Sequence, residues 1–369
     1  MSIYADARHG IVCTVKEGPE SYFGWPSVAI LEDGTIVAGS SGLRHQHVCP
    51  WGKSVLNYSR DGGETYSEPV VVHDDLVDNR DLGVIALGGQ SFAITWFSLD
   101  VSSWPLEKWL SPEDAKAAQE LFASWNPYTV ETLLGSWTKI TTDGGKTWTR
   151  PIRVPVSSPH GFIRLKNGDL GYYGKAYRED RRGPGGPLQY HVSSDGGFTW
   201  AFRGEVGIPE GYELDQFHEA HVIELKDGRL MGAIRVHLPV FDEEGNRKKG
   251  YDLDTALSFS DDGGRTWSLP ERMNIAGSPP HLLRHSSGAI VLTYGYRHPG
   301  YGQRAVVSYD EGATWSDEII IRDDGPSGDL GYPCSIELAD GSVYTVYYQQ
   351  LPGEKKCSLL WSKWKIPQR

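Results

Sequence analysis

Short apolar runs of about strand length recur from end to end of this chain, in pairs joined by a polar tight turn. Four of these turns read Leu-x-Asp/Asn-Gly: Leu31–Gly34, Leu165–Gly168, Leu225–Gly228 and Leu338–Gly341. Weaker versions stand at Leu87–Gly89 and Ser286–Gly288, which makes six strand pairs. A second turn follows five of them: Ser59–Tyr66, Thr141–Trp148, Ser193–Trp200, Ser260–Trp267 and Ser308–Trp315 share Ser/Thr-x-Asp-x-Gly-x-Thr-aromatic. An Asp-Gly turn between strand-like runs is a hairpin signal, with Asp bonding local amides and Gly supplying positive φ. The pattern predicts six units, each an inner strand, a tight turn, a second strand, a loop, a third strand, the Asp turn and an outer strand. The unit without an Asp turn is expected to close by pairing its C-terminal strands with an N-terminal strand near Gly10–Val15. One stretch breaks the pattern: Leu106–Ser124 reads helical, with Ser111 and Asp114 as an N-terminal cap, between the second and third strands of unit two.

Composition fits many short strands: 44 Gly, 13 Trp and 19 Tyr among 369 residues. A formal net charge of −12 argues against binding nucleic acid or an anionic membrane through the overall field, and leaves room for a local basic pocket. Cys13, Cys49, Cys334 and Cys357 form neither a Cys-x-x-Cys pair nor a disulfide framework. Met1–Gly10 lacks the apolar core of a secretory leader, and no apolar run is long enough to span a bilayer. The expectation is a cytoplasmic protein, or a secreted one if a leader has been removed. No cofactor and no metal are expected; His218 and His221, three apart on a strand, point to opposite faces and cannot chelate jointly.

The five Asp turns resemble the Asp box of sialidases, and the resemblance spans nearly the whole chain. It implies an all-β, six-bladed β-propeller, taken here as one domain over residues 1–369 with a helical insertion at about 105–124. The box reports fold rather than activity. Strands alternate in direction within a unit, so the Asp boxes and Leu-x-Asp-Gly turns share one face and the inner-strand starts reach the other. To that second face the chain brings Trp25, Arg80, Asp81, His160, Glu219, His281 and Tyr332 from inner strands. Arg44, His45, His47, Lys175, Arg235, Arg297 and His298 come from the ends of second strands, and Arg304 from the start of a third.

Part of this set is similar to the sialidase machinery. Glu219, followed by a tight turn and Arg235, resembles the segment carrying the catalytic glutamate and one carboxylate-binding arginine. Arg304 resembles another arginine of that clamp. Gly331-Tyr332 opens the sixth inner strand, where sialidases place a nucleophilic tyrosine. A glutamate within hydrogen-bond reach can take the phenol proton, and neighbouring arginines favour the phenolate. Arginines also grip a carboxylate in bidentate fashion. The chain departs from the family in two places. Gly24-Trp25-Pro26 stands where sialidases carry the first arginine of their triad. The loop Arg44–Pro50 lacks the acid/base aspartate, leaving His45, His47 or Asp81 for that task. Arg44 and Arg80 are candidates to rebuild the clamp, His160 and His281 to bind substrate, and Trp25 to stack on a sugar ring. The leading expectation is an exo-glycosidase removing a terminal acidic sugar, sialic-acid-like or uronic, from a glycan. A lyase or histidine-dependent glycosidase on the same fold is the second, and a non-catalytic glycan-binding propeller the third. Oligomeric state is unread.

Overall fold

A computed structural model describes residues 2–177 and 185–367. Six sheets follow one another along the chain, and strands within each are antiparallel neighbours in chain order. Sheet one comprises Tyr22–Ile30, Ile36–Arg44, Lys53–Ser59 and Val70–His73. Sheet two comprises Asp78–Gly88, Ser91–Leu99, Gly135–Thr141 and Ile152–Arg153. Sheet three is Ile163–Arg164, Leu170–Lys175, Leu188–Ser193 and Ala201–Glu205. Sheet four is Phe217–Glu224, Leu230–Phe241, Arg247–Ser260 and Glu271–Arg272. Sheet five, Pro280–Arg284, Ile290–Tyr296, Gly302–Ser308 and Ile319–Arg322, gains a short parallel edge strand from Ile3–Tyr4. Sheet six joins Gly331–Glu337, Val343–Gln350 and Cys357–Trp364 to Ala7–Cys13, the expected pairing of the two ends of the chain.

Each sheet packs on the next through its first strands, and the sixth packs on the first. A hydrophobic cluster fills each junction, from Phe92 and Trp96 between sheets one and two to Tyr22, Phe23, Tyr344 and Trp361 between six and one. Burying apolar faces of neighbouring sheets against each other is the main favourable term available to such a chain.

The Asp boxes join third and fourth strands and seal these junctions. In the third, Asp195 Oδ1 accepts from the amides of Phe198 and Thr199 at 3.0 and 2.9 Å, and Oδ2 from the Thr199 hydroxyl at 2.6 Å. The Ser193 hydroxyl donates to Asp195 and accepts from Gly197 N, both at 2.8 Å. Hydrogen bonds from the threonine hydroxyls and the amides hold Asp61, Asp143, Asp195 and Asp310 at a pKa of about 2. The box glycine is required twice over. At Gly264 φ is +86°, and a Cβ there would lie 2.1 Å from the Tyr190 ring of the preceding sheet.

The segment between the second and third strands of sheet two is helical, as expected, and longer than expected. A 3₁₀ turn at Leu106–Lys108 precedes α1 (Pro112–Ala123), capped by the Ser111 hydroxyl accepting from Asp114 N at 3.1 Å, and α2 (Pro127–Leu133) follows. Leu106, Leu110 and Ala118 pack on Val48, Cys49 and Val101, fixing the insertion over the loop that carries His45 and His47. Among the described residues, no helix is long and apolar enough to cross a membrane.

Candidate active site

The inner strands carry an irregularity at one common level. Four of the non-glycine residues with positive φ, Trp25 (52°), Asp81 (53°), Glu219 (36°) and Tyr332 (53°), each lie at a register shift in the first strand of a sheet. Such conformations cost of order 1–3 kcal/mol each and concentrate where function demands them. Here all four side chains line one cleft of about 400 Å³. The bulges turn successive residues of a strand in unexpected directions: His218 and Glu219 both face this cleft, while His221 lines a separate axial cavity.

At the centre the Tyr332 hydroxyl donates to Glu219 Oε1 at 2.6 Å. Arg235 Nη1 donates to Glu219 Oε2 and, at 3.1 Å, to the Tyr332 oxygen. Burial pushes the Glu219 carboxyl up, but the Arg235 charge and the hydrogen bonds from Tyr332 and Arg235 outweigh it, and its pKa lies below the ordinary value. Burial, then the Glu219 charge, push the Tyr332 phenol well above its ordinary value. The expected bias of the arginines toward phenolate is present but smaller, so the resting pair is carboxylate and phenol. Arg297 lies over the Tyr332 ring, 5.7 Å from its centroid, and its Nε donates to Leu330 O at 3.0 Å.

Beside this cluster, with the Trp25 ring edge-on to Tyr332 at 6.5 Å, Arg80 covers the Trp25 ring at 4.1 Å and approaches Asp78 at 3.7 Å. His47 meets Trp25 edge-on at 4.9 Å. Its Nδ1 lies 2.9 Å from both Asp329 Oδ1 and the Tyr22 hydroxyl. Burial lowers the His47 pKa, with the Asp329 hydrogen bond and charge opposing. Asp81 lines the same cleft, and its charge adds to the rise of the Tyr332 phenol. Trp104 and Trp109, from the insertion, and the stacked pair His237–Tyr251 (3.6 Å) complete the rim.

Six sequence-based assignments need correction. Arg304 does not line the cleft; its guanidinium donates to the carbonyls of Gln303, Arg322 and Gly300 and sits against Tyr296. Arg297, seven residues earlier, provides the cationic group from that sheet. Arg44 is fully buried and spent on Asp78 (2.9 Å from Nη2), Ser41 and the carbonyls of Gln46 and His47. His45 packs against Trp51, ring centroids 4.1 Å apart, and bonds Asp114 of α1 at 2.9 Å, tying the insertion down. His160 and His281 line the axial cavity, packed on each other at 4.9 Å, with burial depressing both pKa values. Trp25 is 2% exposed with Arg80 on its face, so it does not offer a ring for stacking. Sequence reading did not single out Asp329, His237, Tyr251 or the two rim tryptophans, which lie in loops and strand extensions with no repeat signal.

Comparison with known proteins agrees with this architecture. The profile of the BNR repeat-like domain family matches residues 175–364, and that of the BNR/Asp-box repeat matches residues 139–150. The chain belongs to the BNR repeat-like domain family, as a divergent member of the sialidase superfamily. A sialidase of Bacteroides fragilis is 25% identical over 231 residues, 56% of this chain and 38% of the relative. The chain thus matches well under half the length of that relative. Among solved structures, a Dyadobacter fermentans protein of unknown function superposes with a TM-score of 0.73 at 23% identity, covering 98% of this chain and 99% of the other. NanB sialidase of Streptococcus pneumoniae, a K499G mutant, superposes with a TM-score of 0.66 at 13% identity, covering 96% and 70%.

Proposed function

We propose that this protein is a six-bladed β-propeller glycosidase that hydrolyses a terminal acidic sugar with retention, Tyr332 acting as nucleophile. The sialidase relatives support a glycosidase-type function. The single observation that carries the mechanism is the Tyr332–Glu219 hydrogen bond of 2.6 Å, held by an arginine that touches both partners. Tyrosine is an established exception to the two-carboxylate rule of glycosidases. As the Tyr332 oxygen attacks the anomeric carbon, its proton passes to Glu219, and His47, protonated, delivers a proton to the departing oxygen. Water then attacks the glycosyl-tyrosine, giving its proton to His47, and Glu219 returns the first proton to Tyr332. Arg235 compensates the charge that accumulates between Glu219 and the phenolic oxygen. Arg80, Arg235 and Arg297 give the cleft a cationic lining suited to a carboxylate.

The pH dependence tests this reading. Glu219 must be ionised, and the Arg235 charge and its hydrogen bonds hold its pKa below the ordinary carboxyl value; His47 must be protonated for an unactivated leaving group, and burial holds its pKa below the ordinary imidazole value. On natural-type glycosides, kcat/KM therefore rises as Glu219 ionises, peaks in the acidic range and falls as His47 loses its proton. On aryl glycosides with good leaving groups, which need no proton, the alkaline limb of kcat/KM disappears. An alkaline limb unchanged between the two substrate classes contradicts the role given to His47. Ultraviolet absorbance from a conjugated double bond in the product would establish a lyase instead.

A further inference from the structure

The loop preceding Tyr332 holds a second catalytic element in place. We propose that Asp329 and Tyr22 are positioning residues that fix His47 in the Nδ1–H tautomer and aim its Nε2 into the cleft, an inference that rests on the acid/base role given to His47 above.

The geometry is that of a hydrogen-bonded triangle in which the carboxylate favours one proton arrangement. Asp329 Oδ1 lies 2.9 Å from His47 Nδ1, and the Tyr22 hydroxyl lies 3.0 and 3.1 Å from the two Asp329 oxygens. Burial pushes Asp329 up, but the His47 and Tyr22 hydrogen bonds and the Arg297 charge bring its pKa below the ordinary value, so it is a carboxylate. A carboxylate has no hydrogen to give, so its contact with Nδ1 is a hydrogen bond only when Nδ1 carries the proton; the other tautomer, with the Tyr22 hydroxyl donating to Nδ1, would set a lone pair against the carboxylate. Burial also keeps the Tyr22 phenol far above its ordinary value and therefore a donor. The neutral imidazole then carries its proton on Nδ1 and leaves a lone pair on Nε2, and the His47 side chain lines the cleft. This is the orienting logic of a carboxylate behind a catalytic histidine.

Asp329 is itself anchored. Its amide donates to the Ser327 hydroxyl at 3.2 Å, which in turn donates to Gln350; its carbonyl accepts from the Cys357 thiol, and the next carbonyl, of Leu330, accepts from Arg297. Three residues later comes Tyr332, so one loop sets the nucleophile and the partner of the acid/base. The groups that act most strongly on His47 are Asp329, Arg80 and Arg297, with the Tyr22 hydroxyl against Nδ1, Arg44 donating to its backbone carbonyl at 3.2 Å and Asp81 lining the same cleft. Asp329 is the carboxylate bonded to the ring and favours the imidazolium, while Arg80 and Arg297 oppose it.

The test is nitrogen NMR of the full chain labelled with ¹⁵N-histidine, with His47 assigned by its absence in His47→Gln. Neutral His47 should show the proton on Nδ1. In Asp329→Asn its pKa should fall by about one unit, since the opposing carboxylate charge is gone. The alkaline limb of kcat/KM on unactivated glycosides should move down by the same amount, and the rate should drop on the order of 100-fold. A proton on Nε2 in the wild type overturns the proposal, as does an unmoved His47 titration in a folded Asp329→Asn. If that variant does not fold, the wild-type tautomer alone decides. The tautomer needs no substrate, so a protein with the Nδ1–H form and no turnover would contradict the glycosidase reading while leaving the positioning intact.

Discussion

Tyr332→Phe should lower kcat by roughly 10³-fold or more while leaving the fold intact. The substitution removes one oxygen and keeps the ring, which packs at 6.0 Å from Tyr348 and under Arg297 at 5.7 Å. Glu219 keeps its ion pair with Arg235, so no buried charge is stranded. The loss falls on kcat because the phenolic oxygen forms its bond to sugar only in the reaction. Steady-state kinetics on a turned-over glycoside, with a melting curve as control, makes the comparison. Undiminished turnover would remove tyrosine from the mechanism and leave the cleft to histidine chemistry.

The second large effect concerns stability. Arg44 and Asp78 form an ion pair whose side chains are both 0% exposed. Arg44→Met leaves Asp78 buried with only Arg80, 3.7 Å away, as a partial counter-charge. Removing one member of a buried pair costs about 3–5 kcal/mol, so conformational stability in urea should fall by about that amount. The outcome also separates two roles for Arg44. A structural arginine loses stability; a substrate ligand would raise KM at unchanged stability, and that result would contradict the placement described above.

The repeat was legible because hairpins built from apolar pairs and Asp-Gly turns leave the same local signature in every sheet. That Glu219, Arg235 and Tyr332 would come together in one cleft was legible for a related reason. Glu219 and Tyr332 lie near the starts of inner strands and Arg235 pairs opposite His218 in the following strand, so strand direction sends them to one end of their sheets. Arg304 misled because it lies in the same hairpin as Arg297. Register places Arg304 opposite Tyr294 and Ile320, beside a shift at Gln303, where backbone carbonyls capture its guanidinium. Spacing along the chain does not carry that information. Arg44 misled because its partner, Asp78, comes from the neighbouring sheet, and only tertiary structure reveals that the charge is already satisfied. Of the histidines in the first loop, His47 reaches the cleft and His45 the insertion, a choice set by α1 rather than by either residue. Positive φ at four cleft residues left no trace in the sequence, because none of them is glycine.

Tyrosine as nucleophile demands two displacements at the anomeric carbon, and that is the claim to put at risk. The most direct measurement is proton NMR of the first-formed sugar during cleavage of the acidic-sugar glycoside that the protein turns over fastest. The account predicts that the initial product has the anomeric configuration of the substrate and mutarotates afterwards. An inverted first product, or an unsaturated one, would contradict it.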